Sequence, residues 1–420
     1  MTTLAAARGK GAGAAAAREP GARVGELPVV TRRGGRLLLG LAGLWASTAL
    51  GAQRIPYSLP FHVTLGFGVD TSIAPVREIL HTWMTFLADR PDSNHPSSVW
   101  SPSEQRTYRN AVLGRDYIFQ GFPRAFPAVT VLAIAPVAPG EDTVYVIKTL
   151  FGDVSQPEHE IKLLAVFRVY AQRDGNRWML SNAIDRLTVH WLRHRVGGIT
   201  FVYPPWRRLD RRRARRSARF ADSLAAAFSL APAPLTYYIA ETPEEMFRLE
   251  GLDFVPEASQ ASGGAGRADG VNRIVFSGSA TLQEGYLHEI AHVVFAPFVI
   301  PGRTHWLAVE GCATWTGGWQ GRMFPDLMRD LAFYLKNHWS YTLDSVLLQP
   351  VPPGPMDPRY AAGAVLFQLA AEHGGVPAVR SLFGTGTTLE EVRRGLAQGL
   401  GIAPGALDVV WRRKVLSYAR

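Results

Sequence analysis

The sequence predicts an α+β chain of two domains. The N-terminal domain is a curved antiparallel sheet wrapped on a helix. The C-terminal domain is mostly helical with a small sheet. Three observations predict this. A helical repeat of apolar residues over 74–89 precedes a series of strand-like segments joined by turn signals. Pro204-Pro205 and an arginine run then interrupt the chain. Beyond residue 284 the apolar spacing reads as helices, broken by "QPVPPGPMDP" (349–358). With 420 residues, 47% of them hydrophobic, the chain is long for one core and comfortable for two. The boundaries read from these signals are 1–53, 54–205, 206–231 and 232–420.

Residues 1–53 read as a leader. "TRRGGRLLLGLAGLWASTALGAQ" runs from three arginines through an apolar stretch, Leu37 to about Leu50, into the small residues Gly51-Ala52. Basic, apolar, small is the order of an export signal peptide, and the apolar stretch is shorter than the ~20 residues of a membrane span. The expected location is periplasmic or extracellular; the alternative is a chain anchored by this segment uncleaved.

The net charge of +10 is unevenly spread. Residues 1–53 carry +5 and "RRLDRRRARRSAR" (207–219) carries +7, which leaves −2 on all the rest. A general nucleic-acid surface is therefore not expected. Arginine outnumbers lysine 40 to 5, a bias of coding composition. The single cysteine, Cys312, allows no intramolecular disulfide and reads as a small packing residue.

In 74–89, Ile79, Leu80, Trp83, Phe86 and Leu87 form one helical face. "AFPAVTVLAIAPV" (125–137) and "DTVYVIKTLFGD" (142–153) read as strands joined at Pro139-Gly140. "EIKLLAVFRVYAQ" (160–172) and "NRWMLSNAIDRLTVHWL" (176–192) read as a hairpin turning at Asp174-Gly175, with "GITFVYPP" (198–205) as a last strand. The stretch "VFRVYAQRDGNRWMLSNAI" resembles the terminal hairpin of nuclear transport factor 2-like domains. Over about 70–195 that resemblance implies a cone-shaped α+β binding or spacer module. The arginine run opens a helix, "RRLDRRRARRSARFADSLAAAFSL" (207–230), read as a basic linker. Its charge would also suit peripheral contact with an anionic membrane.

From Pro232, "LTYYIAE" (235–241) is a strand. "TPEEMFRLEG" (242–251) is a short helix with Thr242 as N-cap, Pro243 first and Gly251 past the end. "SGGAGRADG" (262–270) is a glycine-rich loop and "VNRIVFSG" (271–278) a strand.

The chemistry lies in "EGYLHEIAHVVFAP" (284–297), free of proline and glycine from Tyr286 to Ala296. His288 and His292, four apart, share one face of a helix, so both imidazoles reach one ion. Glu289 stands beside them, placed to take a proton from a metal-activated water. Chance supplies such a motif in about one chain in a hundred of this composition, so the flanks decide. They are apolar, and idle imidazoles and a carboxylate in a core are costly. Eighteen residues past His292, Glu310 sits in a second apolar helix, "HWLAVEGCATWTGG" (305–318). A turn through "FVIPGRT" (298–304) would bring it back against the histidines.

"HEIAH" followed by "WLAVEG" resembles the gluzincin metallopeptidases, the clan of thermolysin and aminopeptidase N. Over about 233–420, the resemblance implies that His288, His292 and Glu310 hold Zn2+ and that Glu289 is the general base. "PRYAAGAVLFQLAAEHGG" (358–375) resembles the Tyr-x-x-Gly helix of the aminopeptidase N branch. It implies that Tyr360 stabilises the oxyanion, with Tyr286 and His305 as weaker candidates. The segment before 278 lacks that branch's acidic amine anchor; Asp269 is the only acid there. Endopeptidase action on a peptide or protein substrate is therefore expected, with "NRIVFSG" (272–278) available to pair with an extended substrate. Thr314 stands where thermolysin-like enzymes often carry an outer-sphere aspartate. The competing reading is a binding or envelope-assembly protein with a structural or vestigial metal site.

Overall fold

Alternating apolar residues build the first sheet. The structure is a computed structural model that describes residues 62–89, 97–109, 111–114, 127–153, 162–232, 234–256, 258, 265–348 and 357–419. The leader expected over 1–53 lies outside these residues, as does most of the proline-rich break after 348. The described residues all fall in one unit, Pro56–Arg420.

In the first sheet, β1 (Val63–Gly68), β2 (Pro127–Pro136), β3 (Val144–Asp153), β4 (Lys162–Asp174) and β5 (Arg177–Ser181) lie in sequence order. β1 is an addition the sequence pattern did not flag, and it pairs parallel to β2. The other neighbours are antiparallel, with register shifts at Leu132 of β2 and at Leu164 of β4, where bulges bend a sheet. The hairpin between β4 and β5 closes Asp174 on Arg177 around Gly175, whose φ of 58° suits glycine. α1 (Ala74–Asp89) lays the expected face on this sheet, with Trp83 stacked 6.4 Å from Phe167 of β4.

The stretch expected as one strand over 176–192 divides after Ser181. Asn182 leaves the ladder to donate from its backbone N (2.9 Å) and Nδ2 (2.6 Å) to Glu104. Its Oδ1 accepts from Leu113 N at 2.9 Å. Glu104 belongs to α2 (Pro102–Thr107) and also accepts from Trp100 Nε1 at 2.9 Å. After Asn182 comes a short helix, α3 (Ile184–Leu187).

The sheets do not divide at Pro205. β6 (Leu192–Val196) and β7 (Ile199–Tyr203) join β8 (Leu235–Ile239) in a second sheet of order β10-β11-β8-β7-β6. β9 (Leu252–Phe254) crosses back to pair with β4. β10 (Ala265–Asp269) and β11 (Ile274–Gly278) complete the second sheet. The glycine-rich stretch expected as a loop is thus in part an edge strand. β7 is buried along most of its length, with Phe201 5.2 Å from Tyr237, which suits an inner strand better than an edge.

α4 (Arg211–Ala227) begins at its N-cap Asp210, whose carboxylate accepts from the backbone N of Arg212 and Arg213. The helix is not a free linker. Ala214 and Ala218 pack with the second sheet, and Leu224 and Phe228 with the helical core. α5 (Pro243–Leu249) has the expected cap: Thr242 accepts from Glu245 N, and Gly251 follows at φ 85°. The helical part then comprises α6 (Leu287–Phe295), α7 (Trp306–Gly317), α8 (Phe324–Asn337), α9 (Leu343–Leu348), α10 (Pro358–Leu382), α11 (Leu389–Gly399) and α12 (Leu407–Leu416). Their core is apolar, and Cys312 is fully buried in it, its thiol pushed well up by that burial.

Burial pushes the Glu104 carboxyl up to about 7, against the hydrogen bonds from Asn182 and Trp100 that pull it down. The folded state therefore holds this proton more tightly than the unfolded chain. Its contribution is full below about pH 4.5 and is lost as pH rises towards 7, on the order of 3 kcal/mol. Urea denaturation across that window should show this decline, and Glu104→Gln should flatten it. An equal slope in the variant would remove Glu104 as its source.

Candidate metal centre

Helical spacing places His288 and His292 on one face of α6, with ring centroids 4.6 Å apart. α7 returns antiparallel, its Gly317 packed against the backbone of Leu287 and His288. This return brings Glu310 to the histidines. Glu310 Oε2 lies 3.2 Å from His288 Nε2 and 3.4 Å from His292 Nε2, and the two Nε2 atoms are 3.0 Å apart. His288 Nδ1 is 2.7 Å from the Gly318 carbonyl, an acceptor, so Nδ1 carries the proton and Nε2 presents a lone pair.

Three Lewis bases thus converge in a largely buried place. A single proton cannot satisfy them all, whereas a cation can. Tetrahedral zinc at 2.0–2.1 Å from each donor would set donors roughly 3.3 Å apart, and the three observed edges match that triangle. These are the only His, Cys, Asp or Glu side chains among the described residues that cluster closely enough to hold a metal ion. Burial raises the Glu310 carboxyl, and its contacts with His292 and His288 outweigh that and hold it below the usual carboxylate range; a cation among the three donors would act in the same direction.

Glu289 is 6% exposed and its carboxylate accepts no hydrogen bond among the described residues. Burial first, and then Glu310, push it up to about 7 against the pull of His288. Both helices border a cavity of about 660 Å³ that His288, Glu289, His292 and Glu310 line. Tyr360, at the start of α10, lines it too, its ring 6.1 Å from that of His288. Burial, with Glu310 next, holds the Tyr360 hydroxyl above its usual range. Tyr360 reaches the site because α10 crosses α7 at two glycines. A Cβ on Gly311 would stand 2.9 Å from the Gly363 carbonyl, and one on Gly363 would stand 2.7 Å from Leu307 Cδ1.

The weaker candidates separate. Tyr286 is buried and lines the cavity. His305 instead caps α7, its Nδ1 accepting from Leu307 N at 3.2 Å. Asp269 accepts from Asn272 N and Nδ2, at 2.9 and 2.7 Å, and so stitches the turn between β10 and β11. Thr314 is fully buried, and its hydroxyl has no hydrogen-bond partner among the described residues. Nor is β11 free to pair with a substrate, because β10 and β8 flank it. The open edge is β10, which forms one wall of the cavity. Trp319, its ring tilted against Tyr360 with centroids 5.7 Å apart, and Arg267 of β10 also line it, and the sequence reading missed both. Arg267 carried one legible signal, a lone cation inside a glycine-rich run.

No protein-family model matches the chain, and neither does any curated protein sequence. Among solved structures, an M1 zinc metallopeptidase from Deinococcus radiodurans aligns at 12% identity and a TM-score of 0.30. The alignment covers 70% of this chain and 64% of that one, so this chain spans less than two thirds of its length.

The glycine crossing is testable. Gly311→Val should force α7 and α10 apart, costing about 1–3 kcal/mol and displacing Glu310. Urea denaturation and a metal titration would check both; unchanged stability would mean that the crossing tolerates a side chain.

Proposed function

We propose that this chain is a zinc-dependent peptidase of the gluzincin type. One observation carries the reading: the His288, His292 and Glu310 donors form a metal-sized triangle beside a buried, otherwise idle carboxylate, Glu289, on a cavity wall. Structural zinc sites are usually closed and rich in cysteine. Three donors facing a cavity fit an open site better.

Zinc bound there would supply Lewis acidity to a substrate carbonyl and acidify a water. Glu289 would take the proton from the attacking water at its carboxylate and return it to the leaving amine nitrogen. Burial of the Glu289 carboxyl raises its basicity, which suits a group that takes up a proton and then gives it back. The Tyr360 hydroxyl, kept protonated by its surroundings, would donate a hydrogen bond to the developing oxyanion.

The cavity favours internal cleavage over removal of an N-terminal residue. Asp269 is engaged in its turn, and Arg267 on the cavity wall is ion-paired with Glu250 at 3.0 Å, so β10 offers a free amine no uncommitted carboxylate. We further propose that the chain is exported and that its N-terminal α+β part, nuclear transport factor 2-like, acts as a binding or spacer module.

Purified protein should contain about one zinc per chain and cleave an internally quenched peptide in a chelator-sensitive manner. Glu289→Gln should keep the zinc and lose about 10²–10⁴ in turnover, whereas His288→Ala should lose both. Protein without bound metal would sink the whole reading, and full turnover in Glu289→Gln would remove the base. Tyr360→Phe should keep zinc and KM but lower kcat about 10²–10³-fold. An unchanged kcat would leave Tyr360 a packing residue.

A further inference from the structure

The arginines of α4 are sorted to one side. Arg211, Arg212, Arg215, Arg216 and Arg219 are exposed, while Ala214, Ser217, Ala218, Leu224 and Ala225 are buried. At 100° per residue the five arginines occupy an arc of about 140°, over roughly 12 Å of helix. The buried residues occupy the opposite arc. Among the described residues, none of the five guanidinium groups forms an ion pair or a side-chain hydrogen bond, although Arg207 pairs with Glu284 and Arg213 with Asp210. Arg211–Arg215, Arg212–Arg216 and Arg215–Arg219 are like charges four apart, an arrangement that destabilises a helix. An external polyanion removes that repulsion.

We propose that this face docks the protein on an anionic phospholipid surface. Guanidinium groups bind phosphate through paired N–H donors, and a convex helix laid flat presents all five to a plane of headgroups. Trp206, just ahead of the helix, is 69% exposed and held at the surface by a 3.1 Å bond from Nε1 to Glu241. An amphipathic aromatic at the rim of a basic patch suits a membrane interface. The charge outside 1–53 and 207–219 is −2, so no wider positive field tracks a nucleic-acid backbone. The apolar stretch 37–50, read as an export signal, would bring the chain to a membrane in the first place. The inference does not depend on the metal site.

Co-sedimentation of the full chain with vesicles tests it. Binding is expected to phosphatidylcholine vesicles containing about 30% phosphatidylglycerol and not to phosphatidylcholine alone. It should vanish between about 0.1 M and 1 M salt, as the screening length falls from about 10 Å to about 3 Å. Arg212→Gln with Arg215→Gln and Arg216→Gln should weaken it about a hundred-fold, near five-fold per charge, with circular dichroism and metal content unchanged. The same three positions changed to lysine should keep most of it. Equal binding by wild type and the glutamine variant overturns the proposal, as does equal loss in the lysine variant. Tighter binding to a short RNA duplex than to the anionic vesicles, abolished by the same substitutions, also overturns it.

Discussion

Three electron-pair donors cannot be left facing one another in a place of low polarity. His288 Nε2, His292 Nε2 and Glu310 Oε2 lie within 3.4 Å of each other, and the bond from His288 Nδ1 to the Gly318 carbonyl holds that ring with Nε2 turned to the other two. The arrangement makes electrostatic sense around a cation. Much of the C-terminal fold then serves to hold these atoms at that separation.

Two close approaches do the holding. Where α7 meets α6, Gly317 lets the backbones touch, and the chain just beyond it turns the Gly318 carbonyl towards His288. Where α7 meets α10, Gly311 rests on Gly363 and brings Tyr360 alongside. The small sheet adds the remaining wall. A Cβ on Gly266 of β10 would stand 2.7 Å from Glu289 Cγ, so the edge strand packs directly on the stem of that side chain and adds to its burial. The raised pKa of Glu289 follows from that cover.

These relations explain which parts were legible in the sequence. The fold class was, because helical spacing in 74–89 and alternation in the meander are local and strong. So was the meeting of His288, His292 and Glu310. Two histidines one turn apart share a face in any helix, and a carboxylate in an apolar stretch must find a partner. Allegiance between strands was not legible. Nothing in "ITFVY" records whether its neighbour is β5 or β8, and Pro204-Pro205 marked a turn without marking which sheet came next. β10 was hidden for another reason. "AGRAD" carries no alternating apolar residues, and its strand character comes from the ladder with β11. Trp319 was out of reach because only its position in space brings it to the cavity.

The linkage between α4 and the site follows from a residue that belongs to neither. Glu284 is fully buried just ahead of α6. Its carboxylate accepts from Asp210 N at 3.0 Å, at the cap of α4, and its carbonyl accepts from Ser217 Oγ at 2.6 Å. Arg213 reaches across to the Thr281 carbonyl at 2.7 Å. A helix tied so closely to the turn that opens the histidine helix cannot reorient without carrying that turn along. Whatever surface the arginine face meets therefore constrains the orientation of α6. On a lipid plane, α4 would lie between the headgroups and the histidine helix, fixing the direction in which the cavity faces. The charge on one side of α4 and the donors on α6 would then serve one purpose, presenting a fixed site to substrate held near a surface.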